Sequence, residues 1–215
     1  MSMNSEVMIR TATETDKEPI RLFLRKFFFK DEPMNDSQQL ITEENLVNED
    51  LENFVFQSYG KGLDLVAEYE GKLVGVCLNG IIEKGPDPEE FPCTPGNKFE
   101  NIARLLEHVE KTVDYFTRYP DIDRFIAIQI LSVDASVRGK GIAKKLANRT
   151  KELGRQHNAQ LLVIECSSFY SAAVAKSLGF EQIFSMDYAD YKKNGKDVII
   201  PAPPHKSFTV YVSKL

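Results

Sequence analysis

Apolar positions along the chain follow two rhythms, and each change of rhythm marks an element. "EVMIRTAT", residues 6–13, alternates as a short first strand. Ile20, Leu24, Phe27 and Phe28 then recur at helical spacing and predict an amphipathic helix over 16–29. Thr15 to Glu18 fits a capping box, and Pro19 falls in the first turn, where it breaks no intrahelical bond. Pro33 in "KDEPMN" biases Glu32 away from helical angles and is expected to end that helix. Leu46, Leu51, Phe54 and Val55 give a second, less regular helical region after Thr42. Two β-rich runs, "LDLVAEY" and "KLVGVCLNGIIE", flank Glu70-Gly71 and predict a hairpin. "EKGPDPEEFPCTPGN" carries four prolines and reads as a surface loop.

Asn97 is placed to cap a long helix, "KFENIARLLEHVEKTVDYFTRYP", whose Ile102, Leu105, Leu106, Val109, Val113 and Phe116 form one stripe. "RFIAIQILSVD" is the most apolar strand and is expected at the centre of a sheet. Ile142, Leu146 and Leu153 mark a helix over 139–157. "QLLVIEC" is a further buried strand, and "SSFYSAAVAKSLGF" a short helix stopped at Gly179. "EQIFSMDYADY" and "KSFTVYVSK" are the last strands, separated by the Pro-rich "IIPAPPHK". This order predicts an α/β fold with a mixed sheet of about seven strands: an antiparallel start, a parallel middle within 124–166 and an antiparallel end. The 215 residues fit one domain, 1–215.

Composition narrows the partners. A net charge of −5 argues against a nucleic-acid binder, which would show a basic patch or stripe, but leaves room for a small anion at a local basic site. Cys77, Cys93 and Cys166 are far apart and lack metal-ligand spacing, so free thiols and no metal are expected. The polar N-terminus has no signal-peptide pattern, and no run is long enough to span a membrane. A cytoplasmic protein with no membrane partner is the expectation, and a monomer.

Chemistry concentrates in "ILSVDASVRGKGIAKKL", residues 130–146, where a buried strand meets two glycines and then a basic helix. Unpaired N–H groups at a helix start bind phosphate, and Gly139 and Gly141 remove side chains that would hold a diphosphate away. Arg138, Lys140, Lys144 and Lys145 add positive potential in an otherwise acidic chain. A tight corner needing two glycines explains the same residues. The stretch is neither a P-loop, which needs G-x-x-x-x-G-K-[ST], nor a Rossmann fingerprint, because position 144 is Lys.

Arg138-Gly139-Lys140-Gly141-Ile142-Ala143 resembles the R/Q-x-x-G-x-G/A signature of the GCN5-related N-acetyltransferases, and the order of elements is similar to theirs over nearly the whole chain. The resemblance implies that the turn holds the pyrophosphate of acetyl-CoA. It also implies a bulged strand splayed from its parallel neighbour, with the pantetheine arm in the gap against Leu131, Ser132 and Val133. "FFFKDEPMN", "CLNG", "ILSVD", "CSSFYSA", "LGF", "ADY" and "PAPPH" further resemble the insect arylalkylamine N-acetyltransferases. That resemblance implies acetyl-CoA as co-substrate and a small amine such as dopamine, serotonin, tyramine or tryptamine as acceptor.

An amine with a pKa near 10 is neutral in only about one molecule per thousand at pH 7, so the enzyme must take its proton. The family's catalytic Glu of D-E-P-L maps onto Glu32, with Met34 in place of Leu; read without the family, Asp31 and Glu32 are solvated charges in a proline turn. Ser167 and Ser171 match serines the family places in its active site, while Ser167 or Ser168 read alone is a helix cap. Tyr170 is an alternative donor to the leaving thiolate, and His205 an outside candidate for the base. Phe27, Phe28, Phe29, Tyr115 and Phe116 supply aromatic surface for an aryl-ethyl group, or simply core. Acetylation of polyamines, other small amines or a protein amine on the same fold is the alternative, and a non-catalytic acyl-CoA-binding module a third reading. With no Cys–His pair in view, direct attack in a ternary complex is expected.

Overall fold

The computed structural model describes residues 6–86, 89–137 and 139–215. Its elements run β1 (Met8–Thr11), α1 (Lys17–Phe27), α2 (Pro33–Gln38), α3 (Glu49–Phe56), β2 (Leu65–Tyr69), β3 (Lys72–Glu83), α4 (Phe99–Val113), α5 (Tyr115–Arg118) and β4 (Arg124–Val133). There follow α6 (Ile142–Gln156), β5 (Leu161–Cys166), α7 (Phe169–Ser177), β6 (Glu181–Asp187), a small hairpin of β7 (Lys192–Lys193) and β8 (Lys196–Asp197), and β9 (Ser207–Lys214). Seven strands form one sheet in the order β1-β2-β3-β4-β5-β9-β6. The β4–β5 pair is parallel and its neighbours are antiparallel, which is the mixed sheet the sequence predicts.

The sheet separates two cores. On one face α1 and α4 bury Ile20, Leu24, Ile102, Leu105 and Val109 against Val66, Phe125, Val163 and Val210. On the other, α6 buries Ile142, Leu146 and Leu153 against Val74, Ile126, Leu162 and Tyr211. Alternation along β5 sends Leu161 and Val163 to the first face and Leu162, Ile164 and Cys166 to the second.

Two features open the middle of the sheet. Pairing of β4 with β5 runs from Phe125–Leu161 to Ile128–Ile164 and stops there. Beyond it, Ile130 to Val133 pair with β3, while Glu165 and Cys166 pair with β9. Where pairing stops, the β3–β4 register jumps from Leu78↔Ile130 to Asn79↔Ile128, so Gln129 is a bulge residue. Buried Asn79 holds the opposite side: its N–H donates to Asp64 Oδ1 at 3.1 Å and its amide to the Leu63 carbonyl at 2.8 Å. The strands thus part at their C-terminal ends.

Several local expectations are corrected. Pro33 does not merely end a helix; it opens α2 at the first helical position, where its missing N–H costs nothing. The long helix after Asn97 breaks at Asp114, which takes a left-handed φ of 42° and accepts from Thr117 N–H at 3.2 Å to start α5. Asn97 acts as expected at the start of α4: its Oδ1 accepts from Phe99 N–H at 3.0 Å, while Lys98, the residue before the first helical position, offers no side-chain cap. The first capping box is Thr13 with Asp16, two residues before the expected one. Helix α6 starts at Ile142 rather than 139, since Gly139 and Gly141 both have positive φ. The Glu70-Gly71 hairpin is as expected, with φ positive at both residues. Part of the proline loop, residues 87 and 88, lies outside the described residues, and no described helix is long and apolar enough to cross a membrane.

Candidate active site

Phe28, Phe29 and the turn after α1 wind tightly enough to aim Glu32 inward. Glu32 N–H donates to the Phe28 carbonyl at 2.9 Å, and the Asn35 side chain donates to the Phe29 carbonyl at 3.1 Å. Glu32 is the N-cap of α2: its Oε2 accepts from Asn35 N–H at 2.7 Å. The residue is 7% exposed, and its second oxygen, Oε1, has no donor among the described residues. Burial raises its pKa; the Ser167 hydroxyl nearby and the Asn35 and Met34 N–H groups oppose that rise. No hydrogen bond of ordinary geometry joins Ser167 to the carboxylate, so this buried cap keeps an unspent acceptor. A solvated turn residue would have neither property.

Ser167 follows β5 directly. Its carbonyl accepts from the buried Tyr188 hydroxyl at 2.7 Å, and the charge on Glu32 adds to burial in raising the Tyr188 pKa. Glu32, Ser167 and Tyr188 therefore meet, from three distant segments. Ser168 caps α7 with Ser171 in reciprocal bonds: Ser171 N–H to Ser168 Oγ at 2.9 Å and Ser168 N–H to Ser171 Oγ at 3.2 Å. Ser171 is thus committed to the helix start and Ser167 is not. Cys166, fully buried, has its thiol pushed up to about 12 by burial, so it is a poor nucleophile. Tyr170 is 63% exposed and packs edge-on against His205 at 5.5 Å. His205 Nδ1 accepts from Phe169 N–H at 3.1 Å, at the first residue of α7.

On the opposite side of the strand gap, Leu131, Ser132 and Val133 pair with Cys77, Val76 and Gly75 of β3 and have no partner on β5. At the end of β4, Gly139 and Gly141 take φ of 81° and 67°, and a Cβ at either would meet nothing within 4 Å. Gly141 caps α6 without any side-chain bond; its carbonyl accepts from Lys145 N–H, leaving the Ile142, Ala143 and Lys144 N–H groups of the first turn unpaired within the helix. Lys140 lies over the Tyr69 ring at 4.4 Å with Nζ 3.2 Å from its hydroxyl. Arg138 lies outside the described residues. A cradle of open space over glycines, backed by unpaired N–H groups, fits a diphosphate. Of the aromatic candidates, Phe29 and Tyr115 are buried in the first core, and Phe27, Phe28 and Phe116 pack at its margin.

Sequence reasoning missed Tyr188 and Glu165. Tyr188 carries no local signal. Glu165 does, as a single charge in the otherwise apolar "LLVIEC", and a charge in a core strand needs a reason.

The fold and this gap are those of a known class. The description "Acetyltransferase (GNAT) family" matches residues 32–180, and the chain belongs to that family. Among solved structures it is similar to arylalkylamine N-acetyltransferase 2 from Aedes aegypti, at 28% identity and a TM-score of 0.88, over 97% of this chain and 99% of that one. It is comparably similar to a Drosophila melanogaster polyamine N-acetyltransferase described as forming N-acetylagmatine, at 25% identity and a TM-score of 0.85, over 98% and 100%. A Salmonella typhimurium acetyltransferase solved with its cofactor acetyl-CoA shares the fold, at 18% identity and a TM-score of 0.54, over 99% and 95%.

Proposed function

We propose that the chain transfers an acetyl group from acetyl-CoA to a small primary amine, with Glu32 as the base. The observation that carries this reading is the Glu32 carboxylate: buried, raised in pKa and with one oxygen unpartnered, beside Ser167 at the open end of the parted strands. A carboxylate made more basic by burial is suited to accept a proton from an ammonium group near neutral pH.

Acetyl-CoA supplies a thioester carbon open to attack. Gly139, Lys140, Gly141, Ile142 and Ala143, with Arg138, would hold its diphosphate, and the free edge of Leu131, Ser132 and Val133 its pantetheine arm. The amine gives its proton to Glu32 directly or through water, and its nitrogen attacks the thioester carbon. The carbon–sulfur bond then breaks as the nitrogen gives up its second proton, and the leaving thiolate takes up that proton with Ser167 as the relay. The high pKa of Cys166 favours this direct transfer over an acyl-enzyme.

The acceptor is an arylalkylamine or a dibasic amine. The mosquito relative and the aromatic residues near Glu32 support the first, and the Drosophila relative and the carboxylate of Glu165 at the end of β5 support the second. Release of free thiol from acetyl-CoA, followed with a panel of phenethylamine, tyramine, putrescine and agmatine, tests the reading. Thiol release with one or more of these amines is expected. Wild-type protein that binds acetyl-CoA but acetylates none of them contradicts it.

A further inference from the structure

Glu165 is the charged member of β5 and the first residue beyond the last β4–β5 pair. Leu161, Leu162, Val163 and Ile164 are buried, whereas Glu165 keeps partial access. Its side chain reaches the face shared by Phe29, Met34 and Tyr188, because the Tyr115 hydroxyl of that face donates to its Oε1 at 2.9 Å. Ser167 stands two residues further along the chain, just past the end of β5, and is among the groups acting on Glu32. Two carboxylates thus approach the open end of the parted strands from different segments, Glu32 with one oxygen unpartnered and Glu165 held by Tyr115 through one oxygen.

Each carboxylate feels a further negative charge. Glu165 is pushed up to about 7 by burial, and Glu110 adds to that rise. Asp36 acts likewise on Glu32, and no lysine or arginine is among the groups acting on either carboxylate. A plain aryl ring against Glu165 would desolvate a carboxylate and return no hydrogen bond. An ammonium or guanidinium group would pair with it and hold it ionised.

We propose that Glu165 is the specificity-determining residue of the acceptor site, taking the second cationic group of a dibasic amine whose first amine is deprotonated by Glu32. The proposal rests on the acetyltransferase reading above and narrows its acceptor. Tyr115 orients the carboxylate, and the break at Asp114 is what turns Tyr115 inward.

The test compares kcat/KM for putrescine, agmatine and phenethylamine in wild type and Glu165→Gln, with melting temperature measured alongside. Glutamine still accepts from Tyr115. Wild type is expected to favour the dibasic amines. Glu165→Gln should lower kcat/KM for them by about 10–100-fold, the worth of a charge-assisted hydrogen bond, mostly through KM. Phenethylamine should lose nothing and gain modestly, since it makes no such bond and its ring no longer desolvates a carboxylate. An equal loss for all three amines, or no loss for the dibasic ones, overturns the proposal. If the glutamine variant does not fold, Glu165→Asp is read in the same way, with the same selective loss expected from its shorter reach. Wild type that acetylates phenethylamine but neither dibasic amine overturns this proposal alone. Wild type that binds acetyl-CoA and acetylates none of the three removes the functional reading as well.

Discussion

The two ends of the candidate active site are built in different ways. The proposed cofactor end is contiguous: residues 131–133 supply a free strand edge and 139–145 two left-handed glycines and a helix start, so backbone would do most of the binding. The acceptor end is assembled from Glu32, Tyr115, Glu165, Ser167 and Tyr188, which come from well-separated segments and act through side chains. A shared co-substrate can be held by a local backbone motif that tolerates change around it. Acceptor choice depends on side chains that can be exchanged one at a time while the sheet remains. Lesions at the two ends should therefore have separable effects.

The largest effect is expected at the cofactor end. Gly141→Asp puts bulk and negative charge into the open space over the turn, and should weaken acetyl-CoA binding by more than about 100-fold in calorimetry. Its left-handed φ adds a folding cost of about 1–2 kcal/mol. Unchanged affinity would falsify the phosphate-turn assignment.

At the acceptor end, Glu165 makes stability depend on pH. Its folded pKa, about 7, lies above the ordinary 4.5, so the folded state holds the proton more tightly. Its contribution is present below about pH 4.5 and is lost as pH rises through about 7. Glu165→Gln should therefore gain about 1–3 kcal/mol relative to wild type between pH 5 and pH 8, read by denaturant melts. A constant difference across that range would mean that the carboxyl is not desolvated.

The two serines should separate next. Ser167→Ala should lower kcat/KM about tenfold, within the modest share expected of one proton-relay group, with acetyl-CoA affinity unchanged. Ser171→Ala should instead cost about 1 kcal/mol of stability through the lost bond from Ser168 N–H, half of the capping box, with activity largely kept. The reverse pattern would move the chemistry into the cap. The smallest effect is expected at Cys166→Ala, which should retain most activity. An acetylated Cys166, found by mass spectrometry after mixing with acetyl-CoA alone on the timescale of turnover, would contradict direct transfer.

The same contrast explains what was legible in the chain. Strands β3, β4, β5 and β9 could be read almost to the residue, because their apolar runs are long and bounded by turns. The glycine turn was legible because its parts are neighbours in sequence. Helix α2 was not: a proline that ends one helix and opens the next gives the same local signal. The break at Asp114 was hidden because the apolar stripe continues across it, and one left-handed residue is set by the packing of Tyr115. Glu32 could be singled out through family resemblance, since a charge beside a proline is ordinarily solvated. Its burial depends on Phe29, Asn35 and β5 meeting in space. Tyr188 joins Ser167 across 21 positions and leaves no trace in any window of sequence.

The central claim is that Glu32 takes the proton from the amine. The direct measurement is the pH profile of kcat/KM for Glu32→Gln against wild type, using an amine that the wild type acetylates. The substitution keeps shape and an acceptor for Asn35 N–H while removing the base. The account predicts a loss of about 10²–10⁴-fold near pH 7 with acetyl-CoA affinity unchanged. Wild-type activity should rise with pH through the raised pKa of Glu32 and then level. The variant should keep climbing toward the pKa of the amine, near 10, as solution supplies more of the neutral form. A Glu32→Gln enzyme with near wild-type kcat/KM and the same profile would contradict the account and leave Glu32 as the cap of α2.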